Sequence, residues 1–100
     1  METSEIALDG ASVLARNHEI VLRRSGGEII ALDASRGLFF TLNETAEFIL
    51  GRLDGTIPLD AVRTALMEEF EVEADLAGEA VMSIARDFLG KNFAHVIPSD

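Results

Sequence analysis

The sequence predicts an α+β domain in which a three-stranded antiparallel meander is followed by three helices. Three short apolar runs lie close together between residues 19 and 42, joined by glycine-containing segments. Apolar residues then recur every three or four positions from residue 46 to residue 88. The chain has 100 residues, which suffices for one domain with one modest core.

Strands are predicted for the first half of the chain. The three apolar runs are residues 19–24, 28–32 and 38–42. Gly26 and Gly27 separate the first two runs, and Gly37 ends the second turn, where glycine adopts a positive φ at little cost. Because both connections are short, consecutive runs are expected to pair antiparallel. Residues 8–14 give only a poor strand signal.

Helices are predicted for the second half. Asn43 is a favourable N-cap, Asp54 and Gly55 end the first helix, and Pro58 suits the start of the second. The faces of these two helices expected to be buried comprise Ala46, Ile49, Leu50, Leu53, Leu59, Val62, Leu66 and Phe70. The third helix, residues 74–89, carries an apolar stripe with a spacing of four residues: Leu76, Ala80, Ile84 and Phe88. Ala77 and Val81 lie beside this stripe. Residues 93–97 are expected to form a closing strand or a packed tail.

The terminal segments and the lengths of the apolar runs indicate where the domain begins and ends and where in the cell the protein is located. Residues 1–7 and 98–100 are predicted to be loose tails around a domain at residues 8–97. The acidic start lacks the basic segment and apolar stretch of a signal peptide, which predicts a cytoplasmic protein. No apolar run approaches the length of about 18 residues that a membrane span requires.

Few residues offer chemistry. The chain has no cysteine, so disulfides and thiolate metal sites are excluded. His18 and His95 lie far apart and have no partner that would tune a catalytic or metal-binding imidazole. With no nucleophile motif and no phosphate loop, we expect no catalysis, no cofactor and no metal. The net charge of −10 with eight Lys and Arg disfavours nucleic-acid binding.

The third run is the candidate for an interaction surface. If it forms an edge strand, its unpaired N–H and C=O groups can template an extended guest peptide. Strand alternation places Leu38, Phe40 and Leu42 on one side and Phe39 and Thr41 on the other. The alternative is that this strand only contributes to the core.

A resemblance to a known family bears on this choice. The segments Gly26–Asp33 and Gly37–Ala46, followed by Ile49 and by Leu53-Asp54-Gly55, resemble the PqqD-like family. That family typically shows a glycine, two aromatics, one further residue and then Leu-Asn at a helix start. The resemblance implies a winged helix-turn-helix-like domain called a RiPP recognition element. Such a domain binds the leader of a ribosomal precursor peptide without cofactor and hands it to a modifying enzyme.

The resemblance also implies roles for particular residues. In the family, the leader docks as an extra strand on the third strand, beside the third helix. In coenzyme PQQ synthesis the partner is a radical SAM enzyme, and in lasso-peptide synthesis it is a leader protease. The implied peptide-binding residues are Leu38, Phe39, Phe40, Thr41, Leu42, Val81, Ile84, Ala85 and Phe88. Periodicity leaves open which flank of the third helix faces the leader.

Four residues, at or near aromatic positions of the family pattern, are unusual. Phe39 and Phe40 stand where tyrosine is common, and Leu50 where tryptophan is common, so polar tips are lost there. Phe48 falls opposite the apolar face of the first helix. It is expected to be either an ordinary exposed side chain or a contact for the partner enzyme or for a second copy of the chain.

Other classes of function stay open. A winged-helix regulator would need basic residues on its recognition helix, and residues 74–89 contain only Arg86. A subunit that forms a homodimer through the open strand edge, without a peptide ligand, is a second alternative. A small enzyme subunit that needs a catalytic partner chain is a weaker third.

Overall fold

The computed structural model describes residues 8–98 and contains two three-stranded antiparallel sheets and three helices. The elements in chain order are β1 (Val13–Arg16), β2 (Ile20–Ser25), β3 (Glu28–Asp33), β4 (Leu38–Leu42), α1 (Glu44–Arg52), β5 (Asp54–Pro58), α2 (Leu59–Phe70), α3 (Ala74–Gly90) and β6 (Ala94–Ile97). Residues 1–7, 99 and 100 lie outside the described residues, so the two tails stay predictions.

The predicted meander is confirmed. Strands pair in the order β2-β3-β4, and the register runs from Ile20 opposite Asp33 to Ile29 opposite Leu42. Gly26 and Gly27 both have positive φ, 59° and 87°, so the first connection is a two-residue hairpin turn of the type that glycine favours. Order along the chain and order in the sheet therefore agree.

A second sheet was not predicted. Its order is β5-β1-β6, with β1 pairing antiparallel to strands from the middle and the end of the chain. Asp54 and Gly55 follow the end of α1, as predicted, and they also begin β5, for which the sequence gives no separate signal. Residues 94–97 form a strand that pairs with β1, where Val13 lies opposite Ile97.

The core lies between the two sheets and the helices. In α1 and α2, Ile49, Leu50, Leu59, Val62 and Leu66 are buried, as the periodicity predicts. In α3, however, the buried residues are Ala77, Val81, Ala85 and Phe88.

The apolar stripe expected on α3 is therefore only partly buried, since Leu76 is 58% exposed and Ala80 and Ile84 are half-buried. Two adjacent stripes share the four-residue period, and only the packing of α3 on α2 selects between them. The α+β class and the order of meander and helices are confirmed, while the winged-helix likeness stays a prediction.

Candidate functional site

The outer edge of β4 has no strand beside it among residues 8–98. The strand is the last of its sheet and pairs only with β3. Its five residues carry no charge, and Phe39 is 67% exposed, the most exposed large apolar side chain of the part of the chain that the structure describes. An uncharged, apolar edge strand is a template for strand addition.

The direction in which the backbone N–H and C=O groups of β4 point follows from the alternation of hydrogen-bonded pairs, which starts at the β2–β3 turn. A two-residue turn closes with a hydrogen bond between Ser25 and Glu28, and hydrogen-bonded pairs alternate along an antiparallel ladder. Glu28, Ile30 and Leu32 of β3 thus point their backbone groups toward β2. The Ala34 amide continues this alternation, because it donates to the Glu19 carbonyl oxygen at 3.3 Å.

The intervening residues of β3 point their backbone groups toward β4. Their partners there are Leu42, Phe40 and Leu38. By the same alternation, Phe39 and Thr41 direct their N–H and C=O groups away from β3, to the open edge. These two residues are where a guest backbone would bond.

A groove runs between β4 and α3. Its volume is about 300 Å³, and its lining comprises Phe40, Thr41, Leu42, Asn43, Ala46, Ile84, Asp87, Phe88 and Lys91. Most of these side chains are apolar, and the charged pair stands at one end, where Lys91 Nζ lies 2.6 Å and 2.7 Å from the two Asp87 carboxylate oxygens. The groove is therefore suited to apolar guest side chains.

Aromatic packing fixes the floor of the groove. The rings of Phe40 and Phe93 meet edge to face with centroids 5.2 Å apart, and Phe93 stacks on Phe88 at 5.9 Å. Phe88 and Phe93 are fully buried, whereas Phe40 is half-buried and reaches the groove. This cluster couples β4 to α3 by contacts worth about 1 kcal/mol per ring pair beyond simple burial.

A polar clasp, Asp33–Arg36–Lys91, lies beside the groove, which Lys91 also lines. The buried Asp33 carboxylate accepts from Ser35 Oγ at 2.8 Å and from Arg36 Nε at 2.7 Å. Arg36 Nη2 in turn donates to the Lys91 carbonyl oxygen at 2.5 Å, beyond the end of α3. The clasp thus ties the β3–β4 turn to the helix that forms the far wall.

The same hydrogen bonds affect the titration of the carboxyl group. The side-chain hydrogen bond from Arg36, followed by that from Ser35, holds the pKa of Asp33 below its ordinary value. Asp33 is therefore ionised at neutral pH, which is the state that the clasp requires.

The opposite edge of this sheet differs in charge. Strand β2 carries Arg23 and Arg24, and Arg24 Nη2 forms an ion pair with Glu47 Oε1 of α1 at 2.6 Å. Charged residues on an edge strand oppose pairing with another chain. Of the two open edges, β4 is the one that favours an extended apolar guest.

The structure separates the nine residues predicted to bind the peptide into three groups. Phe40, Thr41, Leu42, Ile84 and Phe88 line the groove together. Leu38 and Phe39 are exposed on β4 outside the lining.

The remaining two, Val81 and Ala85, are buried in the core, with 1% and 0% of their surface exposed. The flank of α3 that reaches the groove is thus the one with Ile84, a choice that the periodicity had left open.

Four groove residues are not among those predicted to bind the peptide: Asn43, Ala46, Asp87 and Lys91. Asn43 was identified only as a helix cap, and its Oδ1 does accept from the Ala46 amide at 2.8 Å. The i,i+4 spacing of Asp87 and Lys91 predicts an ion pair. Only the tertiary structure places that pair beside Phe40, whose ring centroid lies 5.4 Å from Lys91 Nζ.

Phe48 is half-buried, not freely exposed as its position on the helical wheel suggested. Its ring meets Phe70 of α2 edge to face at 5.6 Å, and the Arg52 guanidinium lies 4.3 Å from its centroid. Because α2 packs against a second flank of α1, the side of the helix opposite the main core is also partly covered.

Residues 8–98 carry neither a metal-binding cluster nor a membrane-spanning helix. No group of three or more histidine or acidic side chains is arranged to hold a metal ion. No helix in this part of the chain is long and apolar enough to cross a membrane.

Comparisons with known proteins agree with this geometry. The structure entitled lasso peptide synthetase B1 complexed with the leader peptide superposes with a TM-score of 0.67 at 25% identity, covering 85% of this chain and 98% of that one. TbiB1 in complex with the TbiA(beta) leader peptide has a TM-score of 0.69 at 16% identity, which shows a shared fold over 86% and 99% of the two chains. No curated protein sequence matches the chain significantly.

The family model for coenzyme PQQ synthesis protein D (PqqD) matches residues 28–93, from the start of β3 to the residue before β6. This range is well over half of the chain and contains both walls of the groove. The chain therefore belongs to the PqqD family.

Proposed function

We propose that this protein binds the leader segment of a ribosomally synthesised precursor peptide by strand addition to β4, and presents it to a modifying enzyme. The observation that carries the proposal is the open, uncharged edge of β4 beside the apolar groove of α3. Two proteins of the same fold are described as complexes with leader peptides. The role proposed here is non-catalytic, in the cytoplasm, and requires no cofactor.

Backbone pairing and side-chain pockets would contribute different parts of recognition. The N–H and C=O groups of Phe39 and Thr41 bond the guest backbone, which gives affinity with little dependence on guest sequence. Guest side chains on the inner face enter the groove between Phe40, Leu42 and Ile84, and so select the register. Because a flexible leader loses entropy on ordering, its affinity per unit of buried area is modest.

The modifying enzyme is proposed to be a radical SAM enzyme or a leader protease, the partner classes of the family. Phe48 is proposed as a contact for that enzyme or for a second copy of the chain. Its ring borders a depression of about 450 Å³ on the far side of α1, which Leu22 and Phe70 also line. This surface is separate from the leader groove, so both partners could bind at once.

The decisive test removes one backbone donor at the open edge. Thr41→Pro deletes an N–H group that is directed away from β3, and the adjacent ladder bonds of Phe40 and Leu42 stay in place. We expect affinity for a synthetic leader peptide, taken from a short candidate precursor of the same genome that the native protein binds, to fall by about tenfold. Fluorescence anisotropy of a labelled leader measures the change.

Arg24→Pro is the matched control. The alternation of hydrogen-bonded pairs between β2 and β3 directs the Arg24 amide to the open edge of β2. This variant should retain leader affinity if its circular dichroism spectrum is native. Unchanged affinity of a folded Thr41→Pro protein would contradict pairing through β4. A leader-independent dimer that never binds the peptide, detected by mass measurement in solution, would replace the proposal with the homodimer alternative.

A further inference from the structure

A second apolar pocket lies along α3 from the leader groove. Its volume is about 220 Å³, and its lining comprises Thr45, Leu66, Phe70, Val72, Leu76, Ala77 and Ala80. Only Thr45 brings a polar side chain to this lining. The pocket is therefore suited to one aliphatic or aromatic side chain.

The pocket and the leader groove are continuous on the surface. On α1, Ala46 lines the groove and the preceding residue, Thr45, lines the pocket. On α3, Ile84 lines the groove, while Ala80 and Leu76, one and two turns earlier, line the pocket. Residues four apart share a helix face, so the path along α3 is unbroken.

Leu76 is a large apolar side chain that the fold leaves mostly exposed. With 58% of its surface accessible, it is second only to Phe39 among the large apolar side chains of residues 8–98. Thus the two most exposed apolar side chains stand at the open strand edge and at this pocket. Exposed apolar surface next to a pocket marks a binding site more often than an isolated exposed leucine does.

The chain segment that passes the pocket between α2 and α3 is acidic. The exposed carboxylates Glu69, Glu71 and Glu73 stand next in sequence to the lining residues Phe70 and Val72. Residues 64–85 contain no Lys or Arg, and none of these carboxylates forms an ion pair within the described range 8–98. A guest that places Lys or Arg next to its apolar side chain would match this acidic segment.

We propose that the leader continues past the strand-paired segment, inserts an apolar side chain beside Leu76, and carries a Lys or Arg next to it. This inference rests on the proposed function and extends the binding site by a second anchor. Ile84 and Leu76 are eight positions apart, which is about 12 Å along the helix, a distance that about four extended guest residues cover. Two anchors set this far apart would fix the leader register more tightly than either does alone.

Backbone amide shifts locate the two anchors separately. The isotope-labelled protein is titrated with synthetic leader peptides of short candidate precursors encoded in the same genome. We expect shifts both at residues 39–43 and 84–91 and at residues 45, 72 and 76–80. Shifts confined to the first group would overturn the second anchor and leave the proposed function standing, whereas an absence of binding would overturn both.

Variants of α3 test the contact directly. Leu76→Ser should weaken leader binding about fivefold to tenfold, because an apolar guest side chain loses part of its burial. The matched control is Met82→Ser, on the flank of α3 that faces Arg63, which should bind like the native protein. Equal affinities of Leu76→Ser and native protein, both folded, would contradict the inference.

The charge on the acidic segment gives an independent readout. The double variant Glu71→Gln and Glu73→Gln should reduce the loss of affinity caused by raising NaCl from low to high concentration, since fewer carboxylates then stand near the basic guest residue. An unchanged salt dependence would mean that no guest cation stands near this segment, and would contradict that part of the inference.

Discussion

Asn43 joins the two parts of the site at the scale of a single residue. It follows the last residue of β4 directly and caps α1, with its Oδ1 2.8 Å from the Ala46 amide. Both Asn43 and Ala46 line the groove between β4 and α3. The cap therefore fixes where the strand ends and where the helix wall begins.

Replacement of this cap should lower stability. We expect Asn43→Ala to reduce the free energy of unfolding by about 1 kcal/mol, because the Ala46 amide loses its acceptor. Asn43→Asp, which keeps a capping oxygen, is the control and should stay close to native. Urea denaturation measures both, and equal midpoints for Asn43→Ala and the native protein would show that the cap contributes nothing.

At the scale of elements, the β3–β4 turn holds β4 against α3. The Asp33–Arg36–Lys91 clasp works only with an ionised Asp33, since Arg36 and Ser35 both donate to its carboxylate. The pKa of Asp33 is lowered in the folded protein, mainly by the hydrogen bond from Arg36. A lowered folded pKa means that the clasp stabilises the fold above the unfolded pKa of about 3.9 and that this contribution is lost as pH falls through the folded pKa.

Acid titration should therefore reveal the clasp. Between pH 7 and pH 2 the native protein should lose more stability than Asp33→Asn, because the variant has no carboxylate to protonate at this position. The variant should also be less stable than the native protein at pH 7. Chemical denaturation at a series of pH values gives both curves, and parallel curves would contradict a role for Asp33 in the pH dependence.

At the scale of the whole molecule, charge is distributed unevenly. Residues 43–98 hold most of the carboxylates, while the meander carries three of the eight basic residues, Arg23, Arg24 and Arg36. Helix α3 contains one cation, Arg86, against Asp75, Glu79 and Asp87. Such a helix repels the phosphate backbone of a duplex.

We accordingly expect no shift of duplex DNA in a gel at low salt, the condition in which nonspecific electrostatic binding is strongest. A basic winged-helix protein run in parallel serves as the positive control. A retarded band that disappears as salt is raised would revive the regulator alternative.

Local signals account for what the sequence predicted well. The meander, the Asn43 cap and the buried faces of α1 and α2 depend on turn residues, capping and periodicity within about ten neighbouring residues. The motif from Gly37 to Ala46 also lies in one short segment, and it indicated the strand at which we place the guest. In each case the residues that determine the structure are adjacent in the chain.

Only the tertiary structure decided the remainder. The second sheet joins Val13 to Pro58 and Ile97, and no local pattern specifies such distant pairing. Helix α3 has two apolar stripes with the same period, so the sequence does not decide which of them is buried. Packing against α2 buries the stripe with Val81 and leaves Ile84 and Leu76 at the surface. Apolar patterning along the chain thus determined that strands and helices form, whereas contacts between distant elements decided which of their faces and edges stay open to a partner.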